Sequence, residues 1–155
     1  MRTADQWFDL YTGTHKQRFN RLIHRICAPI ATLGIVGLLW SLPTPGAFEN
    51  ISPALNWGST FIMASIVYYF LMSITLGLGM IAVLLGMVIG IHWLDGLWVP
   101  LWLSSLGLLA VSFAGMFAGH AVEGKPGQLL ADIQLIMIAP AFLLAGMYRR
   151  LGISY

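Results

Sequence analysis

Side chains able to bind a metal or move a proton are scarce in this chain, and they gather at two places. His15, Asn20 and His24 precede the first long apolar run, and His120 and Glu123 follow the last one. Asn20 and His24 are four apart and His120 and Glu123 three apart, so each pair shares a face wherever the chain is helical. Two or three histidines with one carboxylate, leaving positions open for oxygen and substrate, form the ligand set of a non-haem ferrous site. His15 does not fit simply. On a straight helix it stands about 13 Å from His24 and on the opposite side. Either the helix is broken between them, or His15 holds a second metal, or it meets the substrate. A lone histidine near a membrane surface is more often an interfacial hydrogen-bonding side chain than a ligand, and Glu123 can equally pair with Lys125; three histidines on one side shift the balance toward metal. His92, beside Trp93, reads as interfacial.

The elements that must position these residues are set by composition. Of 155 residues 58% are hydrophobic and 9% charged, where soluble domains carry about a quarter charged. Water-soluble and disordered classes are excluded, and the length allows one domain of four or five crossings. The formal net charge of +2 is small and scattered, which argues against nucleic acid. The single cysteine, Cys27, cannot form an intramolecular disulfide, and no zinc, Walker, nucleophile-elbow or dinucleotide motif is present.

The reading is an all-α, multi-pass helical membrane bundle, one domain over 1–155, with about four transmembrane helices and a re-entrant or interfacial C-terminal segment. Residues 1–25 form a basic headpiece, 26–119 the transmembrane helices, 120–128 the His/Glu loop, and 129–148 the re-entrant or fifth helix. In the headpiece Thr14 and Gln17 have capping-box spacing, predicting a helix from His15. Phe19, Leu22, Ile23 and Ile26 make its apolar stripe, and the first apolar run, lacking a cleavage signal, is read as retained. The first span runs from Ile26 to Leu42 and stops at Pro43-Thr44-Pro45-Gly46. Ile51 to Leu94 has no charge; as one helix it would reach about 66 Å, so two helices turning between Ser73 and Gly79 are expected.

Pro100 opens the next helix, which runs to about Gly119. Gln128 to Met147, with Pro140 in its middle, reads as re-entrant. Gly77, Gly79, Gly86 and Gly90 suit close helix packing and Met63, Met72, Met80 and Met87 fill the bundle. Basic residues lie in the headpiece, at Lys125 and at Arg149-Arg150, while the turns with Glu49 and Asp95 have none, which places His15, His24 and His120 on the cytoplasmic side and His92 near the other. Arg21, Arg25 and Lys125 suit an anionic headgroup, of substrate or of membrane lipid.

The runs Tyr11, His15, Asn20, His24, with Pro29 beyond, and Gly119-His120-x-x-Glu123-x-x-Pro126 resemble the Mpo1-like family of 2-hydroxy fatty acid dioxygenases, across nearly the whole chain. The resemblance implies an iron(II)-dependent dioxygenase that performs α-oxidation of a long-chain 2-hydroxy fatty acid with O2, shortening it by one carbon. It implies His15, His24 and His120 as ligands of Fe2+, Glu123 as ligand or base, and Asn20 as an orienting residue. Met116 and Gly127 depart from the family pattern, where glutamine and alanine are expected. The residues themselves leave two other readings open: a bis-histidine b-type haem carrier through His24 and His120, and a non-catalytic bundle that binds lipid or protein.

Overall fold

The computed structural model describes residues 6, 8, 17–122, 124, 136 and 138–155. Among them six helices are present and no strand: α1 (Arg18–Trp40), α2 (Gly46–Glu49), α3 (Trp57–Met72), α4 (Ile74–Asp95), α5 (Leu101–Val122) and α6 (Ala139–Leu151). Phe19–Trp40, Ile74–Asp95 and Leu101–Val122 are each 22 residues, long and apolar enough to cross a membrane. The fourth expected span, α3, has 16 residues, about 24 Å against a hydrocarbon core of about 30 Å.

Local chemistry explains most boundaries. Headpiece helix and first span prove to be one 23-residue helix that contains Pro29. It starts at Arg18 and not at His15: Gln17 is its N-cap and caps through no side-chain bond, while Thr14, and with it the expected capping box, lies outside the described residues. The Gln17 amide is turned instead to α5, where Nε2 donates to the Val122 carbonyl at 3.4 Å. Asn56 and Ser59 cap α3 reciprocally. Ser73, in extended conformation, ends α3 and caps α4 through its hydroxyl, at the first residue of the expected turn. The Pro100 carbonyl accepts from Leu103 and Ser104 and opens α5. Pro140, in the middle of the apolar segment, lies in the first turn of α6. Pro is tolerated there because the N–H it lacks has no intrahelical partner.

The closest packing is antiparallel, between α1 and α5. A Cβ added at Gly37 would strike Ser105 Oγ, one at Gly34 would lie 2.9 Å from Leu109 Cγ, one at Gly115 2.7 Å from Cys27 Sγ, and one at Gly119 would strike Asn20 Oδ1. Such small residues let two backbones approach where lipid provides no hydrophobic drive between helices. The glycines expected to pack are divided. Gly77 lies against Phe70 and Gly79 against Tyr148, whereas Gly86 faces open space among the described residues and Gly90 makes only ordinary contact with Leu33.

Helix α6 has 13 residues, about 20 Å, and is held at both ends. Near its start the Thr32 hydroxyl, midway along α1, lies 3.3 Å from the Ile136 carbonyl and 3.0 Å from that of Ala28. Near its end Tyr148 donates to the Thr75 carbonyl, in the first turn of α4, at 3.2 Å. The helix therefore runs from mid-depth back to the end of the bundle where α1 begins. Buried Phe8 packs edge-on against Phe142 and Tyr155, with centroids 5.5 and 6.0 Å away.

Candidate functional site

Where α1 begins and α5 ends, three polar side chains are sealed from solvent. His24 is 2% exposed, and Asn20 and His120 are 0% exposed. Asn20 and His24 share a face by their i, i+4 spacing, and the antiparallel pairing brings His120, in the last turn of α5, against them. The two imidazoles meet edge to face, with centroids 4.9 Å apart and planes at 70°. Gly119 makes the approach possible, since any side chain there would take the space of the Asn20 carboxamide oxygen.

Burying such groups is costly unless each polar atom is satisfied, at about 1–3 kcal/mol per unsatisfied group. Neither Oδ1 nor Nδ2 of Asn20 makes a hydrogen bond among the described residues. The same holds of two individual ring atoms, Nε2 of His24 and Nδ1 of His120, although each histidine has other interactions. A buried carboxamide with both ends unbonded is an exception among native side chains.

The other candidates are distributed as follows. His15, Glu123 and Lys125 lie outside the described residues, and among the described residues no three His, Cys, Asp or Glu side chains gather in one place. Arg21 is half-buried. Arg25 is exposed and lines a groove with α6, together with Arg149 and Arg150. His92 is exposed and packs against Trp40 with centroids 5.7 Å apart, in the last turn of α4. Met116, where the resemblance predicts glutamine, is fully buried one turn before His120, beside Ala31 and Ile136.

Among the described residues, four buried serine and threonine hydroxyls were not singled out from sequence, one of them Ser65, which donates to the Phe61 carbonyl at 2.8 Å. Thr32 ties α1 to Ile136, and Ser105 and Ser112 lie buried on α5 without a side-chain hydrogen bond. Their seven-residue spacing on a helix that packs along α1 is the signal that could have found them.

Two imidazoles and an amide oxygen are donors that suit ferrous iron, and both polar atoms of the Asn20 carboxamide are unbonded among the described residues. The described residues thus fit part of such a set. Comparison with known proteins bears on the rest. A family model described as 2-hydroxy-palmitic acid dioxygenase Mpo1-like matches residues 1–151. No curated protein and no solved structure matches the chain. With the match extending over both histidine runs and every described helix, the chain belongs to the Mpo1-like family.

Proposed function

We propose that this protein is an iron(II)-dependent dioxygenase that carries out α-oxidation of long-chain 2-hydroxy fatty acids, removing one carbon. The observation that carries the proposal is the buried meeting of His24 and His120 beside Asn20, whose carboxamide has no bonding partner among the described residues. The family's description supports the substrate class.

In this reading His24 and His120 hold Fe2+ together with His15, and Glu123 is either a further ligand or the base. Iron, when bound, supplies the activation of O2. The remaining chemistry belongs to the chain. Asn20 donates from Nδ2 and accepts at Oδ1, which orients the 2-hydroxyl and carboxylate of the substrate. Glu123 accepts the proton of that hydroxyl if it is not a ligand. Arg21 and Lys125 offset the substrate's negative charge. The site lies at the ends of two spanning helices, on the cytoplasmic side by the distribution of basic residues, so an amphiphile can keep its tail at lipid depth while its polar end enters.

The haem alternative fits less well. The rings touch each other at 4.9 Å between centroids, which leaves no plane between them for a macrocycle. Metal analysis of the detergent-purified protein, with oxygen uptake on 2-hydroxypalmitate, tests the proposal. Bound iron without a Soret band, and substrate-dependent oxygen consumption, are expected; a Soret band, or oxygen uptake indifferent to metal removal, overturns it.

A further inference from the structure

A second site lies apart from the histidine pair. Arg25 of α1 and Arg149 and Arg150 of α6 rim a groove of about 400 Å³ whose floor includes Phe142, Leu143 and Met147. Although Arg25 follows His24 in sequence, it is exposed while His24 is buried against α5; consecutive helical residues point about 100° apart. The groove and the buried histidine pair therefore lie on different faces of α1.

We infer that this groove is a binding site for an anionic phospholipid of the surrounding leaflet. Neither described acidic residue, Glu49 in α2 or Asp95 at the end of α4, lines the groove, while three arginines do. Their mutual repulsion is relieved by an anion. Arg149 is already oriented: its Nη1 donates to the Tyr155 hydroxyl at 2.9 Å, and its guanidinium lies 5.9 Å from the Phe142 ring centroid and 6.0 Å from that of Tyr155. Guanidinium forks match phosphate oxygens in pairs, and three exceed what one carboxylate can engage.

The apolar partner of such a head is present below it. On α1, Arg25, Pro29 and Leu33 follow at i, i+4 and i+8, one stripe along one face. Pro29 and Leu33, with Val83 and Met87 of α4, line an apolar groove of about 270 Å³. An anionic head at the arginines with an acyl chain running down this stripe satisfies both surfaces at once. Basic pockets between helices on the cytoplasmic side are where anionic headgroups bind.

The test uses full-length protein in detergent, incubated with phosphatidylglycerol or phosphatidylcholine, with bound lipid counted by native mass spectrometry. At least 10-fold preferential retention of phosphatidylglycerol is expected, falling at least 10-fold in Arg149→Gln/Arg150→Gln. Because Arg149 also braces Tyr155, the single variants Arg25→Gln and Arg150→Gln, which break no described hydrogen bond, are measured beside it and should each weaken retention. Equal retention of the two lipids, or unchanged phosphatidylglycerol in both single variants, overturns the inference. So does displacement of the lipid by 2-hydroxypalmitate at equimolar amounts, which would make the groove a substrate site. His120→Ala should retain the phospholipid; its loss would place the lipid in the metal site and also refute the inference.

Discussion

The imidazoles of His24 and His120 come from the first and fifth helices and touch edge to face inside the protein, with 4.9 Å between centroids. Each stands near a residue at the contact between the two helices: Asn20 one turn before His24, and Gly119 immediately before His120, with the carboxamide of the first lying against the second.

His24→Ala and His120→Ala should each abolish iron binding and lower dioxygenase activity at least about 100-fold, the upper end of what loss of even an outer-shell partner costs. Membrane insertion should persist, since neither residue lies mid-span. Stoichiometric iron in both purified variants would defeat the metal assignment. His15→Ala should lose activity with partial retention of metal, read by the same analysis.

Removing iron should destabilise the protein, because a ligand bound only by the folded state stabilises it by mass action. Chelation is expected to lower the thermal midpoint of the wild type in detergent and to leave those of His24→Ala and His120→Ala unmoved. A chelator shift of equal size in all three would show that the metal lies elsewhere.

Gly119→Ala should cost about 1–3 kcal/mol, the range for overpacking, since its methyl group would collide with the Asn20 carboxamide. It should also impair activity by moving that group. Gly107→Ala, on the same helix but with nothing within 4 Å of an added Cβ, should change stability by less than about 1 kcal/mol. Thermal denaturation of the two variants side by side checks the α1–α5 seam.

Tyr148→Phe removes the hydrogen bond to the Thr75 carbonyl and should cost about 0.5–1.5 kcal/mol. Its local signature is faster amide exchange in α6 than in α5, measured by hydrogen–deuterium exchange. Thr32→Val, which loses the contact with the Ile136 carbonyl, should loosen the start of the same helix.

The amino-acid order alone determined the elements and the material of the site. Uncharged runs set the long helices, Pro and Gly clusters set their ends, and helical spacing already put Asn20 and His24 on one face. Pro140 stands midway along the apolar run Gln128 to Met147 and in the first turn of α6; a proline in an apolar run looks the same whether it interrupts a helix or begins one, and neighbouring backbone decides which. Helix α1 starts three residues later than expected, at Arg18, with Gln17 as its N-cap and the Gln17 amide reaching a tertiary partner at Val122.

Which helices pair was decided only in three dimensions. Helices apolar on nearly every side carry little directional preference, so a hydrophobic pattern does not say that α1 packs along α5. Close approach at Gly34, Gly37, Gly115 and Gly119 selects that pairing, and sequence gave these glycines no distinction from Gly86 or Gly107, which face open space. The meeting of His24 with His120 is a consequence of that choice: the residue types were written in the chain, and their contact exists because small side chains let two backbones come close enough to enclose them.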